Sequence, residues 1–346
     1  MKSNDIHRLS LQVASEKVIN PLGFNPESVA LHVAYGTDDF FLAGCLASMA
    51  SVKRFNKETV IHFFIFINGD CRIEENELTQ FSRQTSCLVS VLRVKEDDHR
   101  SLPTNKLWSS AIYYRFLMAD YLANKVDRLL YLDSDVICNG SLDPFIQLDL
   151  QGNIAGAVHE RGREWWQDRA DKLNCSGLTS GYFNTGVIYF DLKMWTGLNV
   201  TRQILSLLNE VDVAKRLTFY DQDLFNLVLL NKVLPLESKY NVQFSINRVL
   251  KNTPQQDINN AVLIHYIGPT KPWFSWATRY DACKPFWNAL IASPWDNMPS
   301  MQPSTAMHYR YAYLHMKKQN KTVKMMSYFS MYLLKKILHA AKQVGV

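Results

Sequence analysis

Short apolar runs stopped by turn residues or carboxylates recur along this chain, and stretches with helical spacing separate them. LHVAYG (31–36), VIHFFIFING (60–69), CLVSVLRV (87–94), LLYLDSD (129–135), IAGAV (154–158) and TGVIYFDL (185–192) read as strands. Between them, FLAGCLASMASVKRF (41–55), ENELTQFSRQTS (75–86) and WSSAIYYRFLMADYLA (108–123) read as helices, the last with Ser109 or Ser110 as its cap. Such alternation predicts an α/β fold with a largely parallel sheet covered by helices on both faces. With 346 residues, 47% of them hydrophobic, the chain can bury a core of that size.

Within this pattern 129-LLYLDSDVIC-138 is anomalous. Asp133 and Asp135 stand one residue apart inside an apolar run. Like charges this close repel, and burying either one unpaired is costly. A hard divalent cation between them removes both problems, because such ions prefer carboxylate oxygens. A strand ending in a turn with both carboxylates solvated fits the local sequence equally. Placement favours a site: Asp38-Asp39 and Asp133/Asp135 both follow a strand's carboxyl end, where open α/β sheets bind their ligands.

Three further stretches carry candidate chemistry. GYFNTGVIYF (181–190) sets Asn184 in a Gly-bounded turn before a strand, and FYDQDLFNLVL (219–229) sets Asp221, Gln222 and Asp223 at the start of a helix. LIHYIGPTKPWFSW (263–276) places His265 after a short strand and Gly268 and Lys271 in a loop stiffened by Pro269 and Pro272. His265 is either a third metal ligand or a satisfied core histidine. Lys271 is either a point charge for a phosphate or a solvated loop lysine.

Charge is uneven. Residues 301–346 carry eight Lys/Arg and no Asp or Glu, which leaves 30 Lys/Arg against 32 Asp/Glu in residues 1–300. A near-neutral body with a basic tail points to nucleic acid or to an anionic membrane surface. The tail has no recognition motif for nucleic acid. In 325-MMSYFSMYLLKKILHAAKQV-344, Met326, Phe329, Leu333, Ile337, Ala340 and Val344 share one helical stripe, with Lys335 and Lys342 opposite. Tyr309, Tyr311, Tyr313, Tyr328 and Tyr332 fit a membrane interface. A helix docked on the body is the alternative. Expected divisions are a lead-in (1–28), a catalytic domain (29–296) and a basic helical membrane-associating segment (297–346). The six cysteines show no CxxC spacing, no signal-peptide core opens the chain and no apolar window reaches transmembrane length, so a cytosolic protein with reduced thiols is expected.

The order AYGTDD, Arg115 in YYRF, LDSD, YFNTGV, DQD and IHYIGPTKPW resembles the retaining family-eight glycosyltransferases, and 159-HERGREWWQDRA-170 and 240-YNVQFSINRVL-250 resemble their lipopolysaccharide core α-1,3-glucosyl- and galactosyltransferases. The resemblance implies a Rossmann-like, GT-A-type nucleotide-binding domain and a UDP-glucose or UDP-galactose donor. It implies Mn²⁺ (or Mg²⁺) on the DXD residues Asp133 and Asp135 with His265, and Lys271 and Gly268 on the phosphates. Gly36 and Asp38 would line the uridine pocket; Arg115, Asn184 and Asp221 would hold the sugar; Gln222 would face its reactive carbon. Phe40 stands where the family commonly has Asn. The implied acceptor is the lipopolysaccharide core at the cytoplasmic face of the inner membrane, with Arg161, Trp165 and Trp166 as candidate contacts. Rival readings are an α-1,2-hexosyltransferase of the same pathway, an aspartate-nucleophile phosphatase, and a nucleic-acid binder.

Overall fold

The computed structural model describes residues 12–68, 70–95 and 113–344. In chain order its elements are β1 (Val13–Ile19), β2 (Leu31–Thr37), α1 (Leu42–Phe55), β3 (Ile61–Asn68), α2 (Glu75–Thr85), β4 (Cys87–Val94), α3 (Tyr114–Leu122), β5 (Arg128–Leu132), β6 (Val136–Cys138), α4 (Asp143–Ile146) and β7 (Ala155–His159). There follow α5 (Arg163–Leu173), β8 (Phe183–Asp191), α6 (Leu192–Gly197), α7 (Val200–Leu208), α8 (Val211–Ala214), α9 (Tyr220–Val228), β9 (Val233–Pro235), β10 (Val242–Phe244), β11 (Leu263–Tyr266), α10 (Lys284–Leu290), α11 (Ala306–Lys318) and α12 (Thr322–Val344). The cap expected at Ser109 or Ser110 lies outside the described residues.

Eight strands form the main sheet in the order β1-β4-β3-β2-β5-β8-β7-β9. The inner run β4-β3-β2-β5 pairs in parallel, as the apolar runs predict. Its side chains divide between two cores. Leu130 and Leu132 of β5 join one cluster with α1, while Leu129 and Tyr131 join the other with α3. That is the period-two alternation of a strand buried on both faces.

Two features depart from the expected organisation. Residues 13–19, expected as lead-in, form an edge strand antiparallel to β4. Most of its side chains are exposed and its hold on the sheet is backbone pairing, so the sequence carries no apolar pattern to reveal it. Strand β8 runs antiparallel between β5 and β7. Its amino end therefore lies beside the carboxyl end of β5, with Val187 opposite Leu132.

That reversal explains LDSDVIC. The stretch is two strands, not one. β5 ends at Leu132, Asp133–Ser134–Asp135 forms a turn closed by Val136 N–H donating to Asp133 O at 3.0 Å, and β6 belongs to a second, three-stranded sheet, β10-β11-β6. The two carboxylates sit where the chain passes from one sheet to the other. Helix α1 comes close enough at Gly44 that a Cβ there would meet Ser134 O at 2.3 Å, so only glycine admits the turn.

The tail divides differently from expectation. Ala312, His315 and Met316 of α11 are buried against the rest of the fold. His308 stacks on Phe40 at 5.5 Å between ring centres and lies against Phe274 and Trp276. Tyr309 and Tyr313, expected at a membrane interface, are half-buried and contact Tyr328, Phe329 and Tyr332 between α11 and α12. Helix α11 is therefore packed onto the body that precedes it. No helix among the described residues is long and apolar enough to cross a membrane.

Candidate active site

Register assembles the ligand set. In the small sheet, β11 pairs antiparallel with β6 so that His265 is opposite Val136. Tyr266 N–H donates to Asp135 O at 3.0 Å, and Asp133 N–H donates to Gly186 O at 2.8 Å. Three segments distant in sequence are thus pinned together by backbone bonds. Ligand atoms of Asp133, Asp135 and His265 all lie within 4.8 Å of one another.

These residues fit a divalent cation on the evidence of their own bonding. Asp135 Oδ1 is fully buried without a hydrogen-bond donor. His265 Nε2 lies 3.2 Å from it and 3.8 Å from Asp133 Oδ2. His265 Nδ1 faces the side-chain oxygen of Asn241 at 3.0 Å, so Nδ1 carries the proton of that bond and Nε2 is the ring nitrogen turned toward the two carboxylates. Three electron-rich groups pointed at one spot is a metal donor set of two oxygens and one nitrogen. Gly186 lines the same spot: a Cβ there would lie 2.2 Å from His265 Cε1 and 2.9 Å from Asp133 Oδ2. Gly186→Ala is accordingly expected to displace the ring and weaken Mn²⁺ binding by roughly 10–100-fold, read by electron paramagnetic resonance titration. Unchanged affinity would remove His265 from the ligand set.

Around this set the charges interlock. Lys271 donates to Asp135 Oδ2 and, at 2.7 Å, to Tyr266 O. Burial would raise the Asp135 pKa, but the Lys271 ammonium beside it overcomes burial and holds the carboxylate well below its usual range. Arg115 from α3 bonds Asp133 Oδ1 at 2.9 Å, Thr185 O at 2.5 Å and pairs with Asp221 Oδ2 at 3.2 Å. Burial, offset by Arg115, pushes Asp221 up to about 6. Asn184 Nδ2 reaches Gln222 Oε1 at 3.1 Å, and Gln222 also accepts from Thr185 N–H at 3.3 Å. One connected network therefore holds Arg115, Asp133, Asp135, Asn184, Asp221, Gln222, His265 and Lys271. Gly36 joins it through its carbonyl, which accepts from Ser134 Oγ at 3.2 Å. Gly268 takes φ +87° in the loop just beyond β11, a conformation that favours glycine.

Other expected residues have different surroundings. Asp38 Oδ1 accepts from Phe40 N–H and Phe41 N–H, both at 3.0 Å, so its carboxylate closes the turn into α1 and does not join the metal group. Asp223, third in DQD, is scaffold. It is fully buried, takes two bonds from Arg169 at 2.7 and 2.8 Å, and accepts from Thr218 N–H, Phe219 N–H and Tyr182 OH. Trp166 is buried, its Nε1–H donates to Glu160 O at 2.6 Å, and it packs the loop onto the body rather than facing an acceptor. Trp165 is half-buried against Tyr182 and Phe219, with the Arg161 guanidinium over its ring at 4.9 Å.

Tyr131, Glu160, Thr185 and Asn241 are site residues the sequence reading does not single out. Tyr131 OH donates to Asp133 Oδ1 at 2.6 Å. Its signal was available: Tyr131 stands two residues before Asp133, the spacing that puts side chains on one face of an extended chain.

The glycosyl transferase family 8 profile matches residues 32–277, and the family 8 C-terminal profile matches residues 280–336. The chain belongs to glycosyltransferase family 8. Family 8 relatives include the lipopolysaccharide glucosyltransferase WaaO of Escherichia coli K12, 36% identical over 90% of this chain and 93% of the relative. A second is the lipopolysaccharide 1,3-galactosyltransferase of Salmonella typhimurium, 37% identical over 89% of this chain and 91% of the relative. A lipopolysaccharide 1,2-glucosyltransferase of Escherichia coli K12 is 32% identical over 84% and 86%. Among solved structures, the galactosyltransferase LgtC in complex with donor and acceptor sugar analogues superposes with a TM-score of 0.64 at 23% identity, covering 76% of this chain and 96% of that one. The fold is accordingly the GT-A type. Membership in a sugar-transfer family sets aside the phosphatase reading of LDSD.

Proposed function

We propose that this family 8 enzyme transfers glucose or galactose from a UDP-sugar to the lipopolysaccharide outer core, retaining the donor's anomeric configuration and forming an α-1,3 linkage. The carrying observation is the buried Asp133–Asp135–His265 set, with its unpartnered Asp135 oxygen, beside Lys271 and the Arg115–Asp221–Gln222 network. Higher identity to the 1,3-galactosyl relative than to the 1,2-glucosyl relative supports the linkage.

In this reading Asp133, Asp135 and His265 hold Mn²⁺ or Mg²⁺, which when bound neutralises the diphosphate of the donor. Lys271 Nζ meets negative charge that grows on the diphosphate as the sugar departs, and Gly268 lets backbone approach the phosphates. Gly36 and Asp38 line the nucleoside end. Arg115, Asn184 and Asp221 hold the sugar. Gln222 lies next to Asn184 and faces the anomeric carbon as it becomes oxocarbenium-like. An amide is a poor nucleophile, so attack on the same face as the departing group is favoured over a covalent intermediate on Gln222. Arg161 and Trp165 are the acceptor contacts that remain after Trp166 is assigned to the core.

The test is a donor screen with UDP-glucose, UDP-galactose and UDP-N-acetylglucosamine, with and without Mn²⁺, on purified core acceptor. Metal-dependent transfer of one hexose, with an α-linked product by nuclear magnetic resonance, is expected. A β-linked product or transfer indifferent to metal would contradict the proposal.

Location at the cytoplasmic face of the inner membrane rests on α12. Val323, Met326, Leu333, Leu334, Ile337 and Leu338 of this helix are all exposed, an apolar face flanked by lysines that suits an anionic bilayer surface. Ala340 and Val344 of the stripe lie outside the residues whose side chains are described. Removing everything after Trp295 would uncover Phe274, Trp276 and Phe40, so that cut is unsuited to the question. The full chain with Leu333→Glu and Ile337→Glu is expected to keep donor hydrolysis and lose co-sedimentation with anionic vesicles. Equal pelleting of variant and wild type would end the membrane reading.

A further inference from the structure

We propose that a buried amide relay, Glu160–Asn184–Asn241, holds His265 in the tautomer that turns its Nε2 lone pair toward Asp133 and Asp135, with Asn241 as the positioning residue. The inference rests on the reading of that set as a cation site, and its test separates the two.

The polarity of the relay is fixed at groups that have no choice. Gly186 N–H can only donate, and it donates to Asn184 Oδ1 at 2.9 Å. A Glu160 carboxylate only accepts, and its Oε2 accepts from Asn184 Nδ2 at 2.7 Å. Asn184 is therefore oriented twice over, with its oxygen away from Glu160. That oxygen accepts a second bond, from Asn241 Nδ2 at 2.8 Å. Asn241 then has its oxygen left for His265 Nδ1, at 3.0 Å. An acceptor there obliges Nδ1 to be protonated, and in the neutral ring Nε2 is left as the lone pair.

Burial gives the relay force. Glu160, Asn184, Asn241 and His265 are 5%, 6%, 2% and 5% exposed, so water has little room to compete with the amide ends. Glu160 is itself held by its backbone: its N–H donates to Tyr182 O at 2.8 Å and its carbonyl accepts from Trp166 Nε1 at 2.6 Å. Trp166 thus anchors the far end of the chain that reaches the metal ligand. Flipping either amide would oppose two donors or two acceptors in a dry interior, which low dielectric makes costly. Partners of this kind on the second ring nitrogen of a ligating histidine raise its basicity and fix its angle.

The experiment uses full-length protein and two readouts. Ring nitrogen-15 shifts of His265 in metal-free protein, recorded across a pH series, report its tautomer. Mn²⁺ titration by electron paramagnetic resonance reports affinity. Wild type is expected in the Nδ1–H form. Asn241→Leu should lose that preference and weaken Mn²⁺ binding about 10-fold or more, the range seen when such partners are removed. Asn241→Asp keeps an acceptor facing Nδ1 but replaces the donor to Asn184 Oδ1 with a second acceptor; it should keep the wild-type tautomer at some cost in stability, and thermal unfolding of both variants guards against a merely unfolded leucine variant. A wild-type ring protonated on Nε2 alone, or Mn²⁺ affinity for Asn241→Leu within about 2-fold of wild type, would overturn the relay. Wild type that binds no Mn²⁺ would overturn the cation site instead, leaving the nitrogen shifts to judge the relay.

Discussion

Replacing Asp135 by Asn is expected to lower sugar transfer by roughly a hundred- to a thousand-fold, comparable to losing a principal electrostatic group from an active site. Asparagine preserves the shape and removes the charge. Two consequences follow. The ligand set loses half its carboxylate charge, and Lys271, now 7% exposed, loses the anion it pairs with. At neutral pH wild-type Asp135 is ionised, because Lys271 outweighs its burial. A carboxylate with a depressed folded-state pKa stabilises the fold above the ordinary carboxylate range, and that contribution is lost as pH falls through the folded value. Asp135→Asn should therefore flatten the acid limb of the stability curve as well as suppress transfer. Asp133→Asn should suppress transfer similarly, since Asp133 also anchors Arg115. Steady-state rates with excess Mn²⁺, alongside thermal unfolding of the same samples, check both. Near-normal turnover in either variant would show that the carboxylates are structural.

Arg169→Met is expected to have the largest effect on stability, a loss of about 3–5 kcal/mol, because it strands a buried carboxylate. Arg169 and Asp223 are 1% and 0% exposed, and Asp223 is the hub that ties the start of α9 to the segment before it. Methionine fills much of the same volume but cannot donate. A total stability of about 5–15 kcal/mol leaves little margin for such a loss. Replacing Asp223 as well should not restore the fold, since the Thr218 and Phe219 N–H groups and Tyr182 OH would then lack their acceptor. Urea unfolding measures the change; a loss below about 1 kcal/mol, within the range of solvent-exposed pairs, would contradict the assignment. Because Arg169 touches none of the donor residues named above, folded Arg169→Met at low temperature should keep most of its transfer rate.

Much of the site was legible in the sequence because chemistry at strand ends leaves a local mark. Asp133, Asp135 and His265 interrupt or follow apolar runs, and the structure brings them together. The residues alone left open ligand or core histidine; register adds what they lacked, since β6 and β11 pair so that His265 lies beside Asp135. The sequence also marks β8 as a strand but carries no sign of its direction, which depends on non-local pairing. β1 was missed because an exposed edge strand is held by backbone bonds. Trp166 was misplaced for the opposite reason. Aromatic rings satisfy a core, a helix pair and a membrane interface alike, and only contacts distinguish them. Asn241 was invisible as a functional residue because its role is to orient another side chain.

The most direct measurement of the central claim is calorimetric titration of UDP into the wild-type protein with and without Mn²⁺, repeated with Asp135→Asn. If Asp133, Asp135 and His265 hold the cation that meets the diphosphate, Mn²⁺ should tighten UDP binding by at least about 10-fold, a coupling of roughly 1.4 kcal/mol. Asp135→Asn should abolish that gain while leaving the weak metal-free binding in place. Equal UDP affinity with and without Mn²⁺ in the wild type would contradict the account.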